Sequence, residues 1–198
     1  MIILHLIIAI SIYCFLPENG AALQWERDQN APLTWWTSHF VHWSALHLFW
    51  DCLVYLIFGY IARRYYRLNL SATYLLFAPI LLGCVALLSP EITTYRGLSG
   101  FDTVLFTYVA VAAIREAVIH AEWADGLFAG GLLVGVFLKI AYEITAGRPL
   151  FAQDLGELVR PLPEIHLVGV ALGFLLALGI SNRPNEPASS PKPLPSTP

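Results

Sequence analysis

Six apolar stretches, joined by short polar connections, make up most of this sequence. A helix of about 20 predominantly apolar residues crosses the hydrocarbon core of a bilayer, so such stretches indicate membrane-spanning helices. Charged residues are only 13% of the 198 residues, too few for the surface of a soluble domain of this length. We therefore expect an all-α polytopic membrane protein with six transmembrane helices. The predicted spans are Met1–Leu16, His39–Ile61, Leu70–Leu88, Ser99–Ile119, Gly126–Thr145 and Ile165–Ile180.

A basic cluster after the second span gives the expected orientation. Arg63, Arg64 and Arg67 form the only dense group of positive residues, and connections rich in Lys and Arg stay in the cytoplasm. With six spans, both termini then lie in the cytoplasm, and the fourth and sixth spans begin at the outer face. We divide the chain into a membrane domain of residues 1–181 and a cytoplasmic tail of residues 182–198, whose Pro and Ser content is typical of disorder.

The first apolar stretch could also be a signal peptide. Met1–Leu16 has the apolar core of one, but it lacks a basic start and a convincing cleavage site, so we interpret it as the first span.

The net charge excludes one class of function. A formal net charge of -3 leaves no basic face to neutralise phosphates, so the protein is not expected to bind nucleic acid electrostatically.

A serine between two glycines opens the fourth apolar stretch, in the sequence Gly97-Leu98-Ser99-Gly100. The first backbone N–H groups of a helix have no acceptor within the helix, and glycine lets another backbone approach closely. Ser99 therefore has the surroundings that an acyl-transfer nucleophile needs. A Gly-x-Ser-Gly sequence is common by chance, so its weight depends on the residues that accompany it.

A histidine begins the sixth stretch at the same expected depth as Ser99. His166 is followed by Gly169 and Gly173, which lie on its own helical face at i+3 and i+7. A face without side chains lets this helix approach another until the imidazole reaches a hydroxyl there. The other interpretation is a histidine at the membrane interface beside a helix-packing motif.

The second stretch carries polar residues that are costly inside a bilayer unless they face a polar cavity. His47 and Asp51 are four residues apart and therefore share a helical face, and His42 precedes them. A metal or haem site that uses His39, His42, His47 and Asp51 is an alternative interpretation. It is disfavoured because the chain has no His-Glu-x-x-His sequence and no second cluster of metal-ligand residues.

Taken together and in this order, the three motifs resemble those of the rhomboid family of intramembrane serine proteases. The resemblance implies a six-helix rhomboid-like bundle in which Ser99 is the nucleophile and His166 its general base. It also implies an oxyanion hole formed by His47, Asp51 and the Ser99 backbone N–H, supported by Gly97 and Gly100. The short six-span form and the sequence from Tyr95 to Gly100 look most like the rhombosortase branch.

The resemblance also implies where the protein works and on what. The substrate would be a transmembrane segment of another membrane or exported protein, cut near small residues, and the branch is associated with C-terminal Gly-Gly-type sorting tails. The enzyme would lie in the inner membrane of a bacterium with its site toward the outer side, would contact the lipid bilayer and would need no cofactor. Water or another nucleophile would resolve the acyl-enzyme, and the oligomeric state stays open. The alternative is an inactive relative that binds membrane helices without cutting them.

The chain departs from the common rhomboid pattern in three places. The first loop has Leu33-Thr34-Trp35-Trp36-Thr37 where many rhomboids have Trp-Arg. Thr103 stands where many have an aromatic residue that stacks on the base histidine. That stacking is then made by Phe101 or is absent. Asp51 replaces an asparagine, and an ionised carboxylate would repel a developing oxyanion. Asp51 is therefore either neutral, as a donor, or ionised, as a residue that orients a nearby histidine.

Three further acidic and basic residues have structural interpretations beside a functional one. Asp102 lies in the first turn of its helix, where the helix dipole favours a carboxylate, or it holds His166 and extends the Ser–His pair to a triad. Lys139 and Glu143 are four residues apart near the outer end of the fifth span, and we expect them to pair with each other.

Overall fold

The computed structural model describes residues 2–152 and 160–179. Over these residues the chain is mostly helical, as predicted, and one short strand pair is its only sheet. The predicted tail of residues 182–198 lies outside the described residues, as does part of the connection before the last helix. The α-helices of the described part are α1 (Ile2–Phe15), α2 (Thr34–Thr37), α3 (Ala45–Arg64), α4 (Leu70–Leu88), α5 (Ser99–His120), α6 (Trp123–Ala146) and α7 (Pro163–Leu178).

Four described helices, α3 to α6, are long and apolar enough to cross a membrane. A fifth crossing results if α1 is joined to the 3-10 helix Pro17–Leu23, from which it is bent by 119°. These helices therefore have the length and the apolar composition that the predicted spans require. The sixth predicted span corresponds to α7, an apolar helix of 16 residues, which is shorter than the usual length of about 20. The count of six spans stays a prediction.

Helix α3 begins later than its sequence suggests, because a cap precedes it. The prediction started this span at His39, but Ser38–Phe40 form a 3-10 helix and the chain then runs extended at Val41. Ser44, also extended, caps α3, with its hydroxyl accepting the His47 backbone N–H across 3.1 Å. His42 therefore lies before the helix and not on it, which corrects the predicted placement of the first histidine.

Helix α5, which carries Ser99, is the central helix of the bundle. It packs against α3, α4, α6 and α7, and 50% of its apolar stretch is buried inside the protein. Helix α6 lies at the outside, with only 17% of its apolar stretch buried. The candidate nucleophile is thus carried by the helix with the most extensive internal contacts.

Two glycines allow α7 to approach α5 until backbone meets backbone. A Cβ atom added to Gly169 would lie 2.7 Å from the carbonyl oxygen of Gly100, and one added to Gly173 would lie 2.5 Å from that of Val104. No side chain fits at these distances. The two glycines therefore set the spacing between the helix that carries His166 and the helix that carries Ser99.

Of the α6 glycines Gly126, Gly130, Gly131 and Gly135, most do not lie at a helix contact. A Cβ added to Gly130, Gly131 or Gly135 would have nothing within 4 Å, whereas one added to Gly126 would lie 3.2 Å from the Ala117 side chain. Only Gly126 is therefore at a close helix contact within the described part of the chain. Gly131 and Gly135 instead line the cavity described below.

A short strand pair and one arginine tie the first loop to the loop before α5. Strand β1 (Trp25–Glu26) pairs antiparallel with β2 (Thr94–Tyr95), with Trp25 opposite Tyr95. Arg27 donates three hydrogen bonds to carbonyl oxygens: Nε to Ile92 at 2.8 Å, Nη1 to Ala86 at 3.0 Å and Nη2 to Ser89 at 3.0 Å. These contacts fix the segment that leads into Ser99.

Candidate active site

A cavity of about 730 Å³ lies among α3, α5, α6 and the start of α7, and both Ser99 and His166 line it. Part of its wall is apolar, and part carries the polar residues singled out in the sequence. The apolar lining includes Trp50, Val54, Phe106, Leu132, Val136 and Ile140. The polar lining includes His47, Asp51, Asp102, Lys139 and Glu143. A cavity with this mixture can hold an apolar chain beside a few groups able to do chemistry.

The turn before Ser99 is held at two consecutive backbone N–H groups. Gly97 donates to the Ser38 carbonyl oxygen across 3.1 Å, and Leu98 donates to Asp51 Oδ2 across 2.8 Å. Gly97 has a φ of +120°, a conformation that side chains other than that of glycine rarely adopt. Ser99 then begins α5, partly exposed to the cavity.

His47 lies directly against this turn. A Cβ added to Gly97 would approach His47 Nε2 to 2.9 Å, so only a glycine leaves room for the imidazole. His47 Nε2 also lies 3.3 Å from Asp51 Oδ2, one helical turn further along α3. The structure thus places His47, Asp51 and Gly97 around the backbone that leads to Ser99. Gly100 lies on the other side of Ser99, where a Cβ would meet the Ile165 side chain at 2.6 Å.

His42 connects the loop before α3 to Asp51. Its Nδ1 lies 3.2 Å from the Phe40 carbonyl oxygen, and its Nε2 lies 3.2 Å from Asp51 Oδ2. Both side chains are buried.

Asp51 contacts two histidines, as an orienting residue would. Its Oδ2 lies 3.2 Å from His42 Nε2 and 3.3 Å from His47 Nε2. The bond from Leu98 adds a role that the sequence does not show. Asp51 anchors the turn that carries the candidate nucleophile.

His166 contacts two charged residues of α6. Its Nδ1 lies 3.0 Å from Glu143 Oε2, and Lys139 Nζ lies 3.2 Å from the same nitrogen. Lys139 and Glu143 also pair with each other across 2.8 Å, as the sequence predicts. The sequence pattern does not predict their contact with His166. Charged side chains within an apolar segment are costly in a bilayer, and this cost is the one feature of the sequence that indicates a functional role for Lys139 and Glu143.

Ser99 and His166 line the same cavity but form no hydrogen bond with each other within the described residues. A serine and its base are often too far apart or poorly aligned before substrate binds, and they approach in the complex. The packing of α7 on α5 through Gly169 brings the Ser99 and His166 side chains to one cavity, but it does not bring them into hydrogen-bond contact within the described residues.

Asp102 has no hydrogen-bond partner in the part of the chain that the structure describes. Its side chain is buried, only 4% exposed, and neither carboxyl oxygen finds a donor. It therefore makes no hydrogen bond to His166. The carboxyl group in contact with His166 is that of Glu143.

Thr103 and Phe101, the two residues considered for stacking, both face other groups. Thr103 donates its hydroxyl to the Ser99 carbonyl oxygen across 2.8 Å. Phe101 is fully buried, with its ring centroid 5.3 Å from that of Tyr74. No described aromatic ring stacks on His166, and Lys139 lies beside the imidazole.

Buried polar groups beneath the turn stay neutral. His39 is fully buried and donates from Nε2 to the Ala78 carbonyl oxygen across 3.1 Å, and burial lowers its pKa to about 4. Tyr95 donates its hydroxyl to the Gly97 carbonyl oxygen across 2.7 Å, and burial raises its pKa well above the ordinary value. Tyr95 therefore holds the turn and His39 bonds to α4, and neither side chain is charged at neutral pH.

No model of a known protein family matches the chain, and no curated protein is detectably similar to it.

Proposed function

We propose that the protein is an intramembrane serine endopeptidase of the rhomboid type, with six spans and a Ser99–His166 pair. The observation that carries the proposal is the cavity that both side chains line, with Ser99 at the first position of a helix and His166 on the helix packed closest to it. The motifs that indicated this function along the sequence come from distant parts of the chain. Their meeting at one cavity supports the proposal.

The chemistry follows from the positions of these groups. Ser99 Oγ attacks the carbonyl carbon of a peptide bond while His166 takes the hydroxyl proton. The carbonyl oxygen becomes an oxyanion, which the Ser99 backbone N–H and His47 stabilise. The C–N bond then breaks, His166 returns the proton to the leaving amine, and an acyl-enzyme remains. Water or another nucleophile attacks the ester, with His166 again taking the proton, and Ser99 is regenerated.

The cavity favours an apolar substrate segment with small residues at the cut. Its apolar wall suits the side chains of a transmembrane segment, and Gly131 and Gly135 leave one side of it open. A helical peptide bond is shielded by its own hydrogen bonds, so the segment must unwind before attack. Glycine destabilises a helix by about 1 kcal/mol relative to alanine, which favours cleavage near Gly. Gly-Gly-type sorting tails of exported bacterial proteins have this chemistry.

The proposed location is the inner membrane of a bacterium. Arg63 and its neighbours would stay in the cytoplasm, which places the start of α5 and of α7 toward the outer side, and water would reach the cavity from there. The enzyme's partners would be the transmembrane substrate and the bilayer.

Labelling with a fluorophosphonate probe tests the proposal. We expect the detergent-purified protein to be labelled, and labelling to vanish in Ser99→Ala and fall steeply in His166→Ala. A transmembrane substrate with a Gly-rich segment should be cut by the same preparation and not by either variant.

The alternative is an inactive relative that binds membrane helices, which is favoured because the described residues show no hydrogen bond between Ser99 and His166. A folded wild type that is neither labelled nor active on the transmembrane substrate would overturn the protease proposal in favour of this alternative. Labelling that persists in Ser99→Ala would show that another residue is the nucleophile.

A further inference from the structure

We propose that Glu143 is the positioning residue of His166, so that the Ser–His pair is extended to a triad by a carboxylate from α6. The inference rests on the proposed function, because it assigns a role within that site. It differs from the expectation drawn from the sequence, which considered Asp102 for this role and Glu143 only as a partner of Lys139.

The geometry of the Glu143–His166 contact is that of an orienting carboxylate. Glu143 Oε2 lies 3.0 Å from His166 Nδ1, and the Glu143 side chain is only 2% exposed. A hydrogen on Nδ1, donated to this oxygen, leaves Nε2 without one. Nε2, which lies 3.4 Å from Lys139 Nζ, is then the nitrogen that takes the proton of Ser99. The contact therefore fixes both the orientation and the tautomer that a general base needs.

The other oxygen of Glu143 is held as well, so the carboxylate cannot easily turn away from the histidine. Oε1 lies 2.8 Å from Lys139 Nζ, and it accepts a longer bond of 3.4 Å from the Leu150 backbone N–H. Lys139 Nζ also donates to Oε2 across 2.9 Å, so it bridges both oxygens of the carboxylate. Lys139 compensates the charge of Glu143 while His166 is neutral. When His166 takes the serine proton, Glu143 lies beside the new positive charge and stabilises it.

Asp102 does not compete for the role in this arrangement. It lines the same cavity, yet its carboxyl oxygens have no hydrogen-bond partner over the described ranges. The remaining alternative is that Glu143 merely neutralises Lys139 inside the membrane, where an uncompensated charge is costly. That alternative predicts a different result for the double variant below.

The decisive comparison uses Glu143→Gln, Lys139→Gln and the double variant, each measured by the rate of fluorophosphonate labelling and by substrate cleavage. Loss of the orienting carboxylate of a serine protease costs up to about 10⁴-fold, and we expect Glu143→Gln to slow labelling at least roughly tenfold. The double variant should stay slow, because it still lacks the carboxylate. A double variant restored to the wild-type rate would overturn the inference, since neutralising Lys139 would then explain Glu143.

A second readout follows the histidine itself. Nitrogen NMR of protein labelled at its histidine side chains should show a hydrogen-bonded Nδ1–H signal that disappears in His166→Ala and shifts in Glu143→Gln. Glu164→Gln, the same chemical change two residues before His166 and with no hydrogen bond in the described structure, is the matched control. It should leave both the signal and the labelling rate unchanged.

The outcomes separate the inference from the function. An active wild type with an equally active Glu143→Gln variant and an unchanged Nδ1 signal overturns the triad alone. A wild type that neither labels nor cleaves overturns the protease proposal, and the triad with it.

Discussion

Leu98 donates its backbone N–H to Asp51 Oδ2 across 2.8 Å, which ties the residue before the candidate nucleophile to helix α3. This bond reaches from one helix to the start of another and holds the turn from outside it. The position of Ser99 is therefore set by the side chain of Asp51, which lies 48 residues earlier in the chain.

Asp51→Asn should keep most of the activity, because the amide oxygen can still accept the Leu98 N–H. Asp51→Leu removes the acceptor, and a displacement of the nucleophile by about 1 Å can cost roughly 100-fold in rate. The rate of fluorophosphonate labelling measures both variants, with thermal unfolding in detergent to show that they are folded. An inactive, folded Asn variant would contradict this role and would assign the catalytic contribution to the acid itself.

Gly173→Ala should destabilise the protein and slow labelling, because the new methyl group would lie 2.5 Å from the Val104 carbonyl oxygen. Forcing an extra carbon into a packed contact costs roughly 1–3 kcal/mol. Gly130→Ala is the matched control, since a Cβ at that position meets nothing within 4 Å. Equal unfolding temperatures for the two variants would show that α7 does not rest on α5 as described.

Asp102→Ala should stabilise the protein without slowing labelling. A buried polar group without a partner costs roughly 1–3 kcal/mol, and the Asp102 carboxyl oxygens have none within the described residues. We expect a higher unfolding temperature and a labelling rate within about twofold of the wild type, well short of the loss an orienting carboxylate would cause. A fall as large as that expected for Glu143→Gln would return Asp102 to the role of orienting carboxylate.

Acid should destabilise the protein through His39. Its pKa is about 4 in the folded protein because of burial, and about 6.5 in the unfolded chain. The unfolded chain therefore binds more protons between these values, and stability present above pH 6.5 is lost as the pH falls toward 4. At 1.36 kcal/mol per pH unit the loss is at most about 3 kcal/mol.

Unfolding temperatures measured in detergent from pH 8 to pH 4 check this expectation. His39→Gln should flatten the acid side of the profile, whereas replacement of the exposed His120 should leave it unchanged. An identical acid decline in His39→Gln would assign the effect to other groups.

The helices were largely predictable because the apolar stretches are long and uninterrupted. The predicted span Leu70–Leu88 coincides with α4, and the predicted start at Ser99 coincides with the start of α5. The start of α3 was not predicted, because the apolar residues Phe40, Val41 and Trp43 precede it and the boundary is marked only by the Ser44 cap. Composition alone does not identify α7 as a span, because its apolar helix of 16 residues is shorter than a crossing usually needs.

The site was predictable where its residues fall within one motif, and less so where helices meet. Ser99 and His166 were found from local patterns, and the structure places them at one cavity. The approach of Glu143 to His166 depends on how α6 and α7 are rotated about their axes, and no spacing within either helix encodes that rotation. Likewise the bond from Leu98 to Asp51 needs the turn geometry set by Gly97, which sequence pattern alone does not give.

The pairing of the first loop with the segment before Ser99 has a consequence for how the protein is made. Arg27 leaves the ribosome 65 residues before Ile92, one of the carbonyl partners that hold it in place. In a chain inserted from its N-terminus, α3 and α4 must be in the membrane before this loop finds its partners. The segment that leads into Ser99 is therefore fixed late in biogenesis, and a nascent chain stalled after α4 has not yet assembled the candidate site.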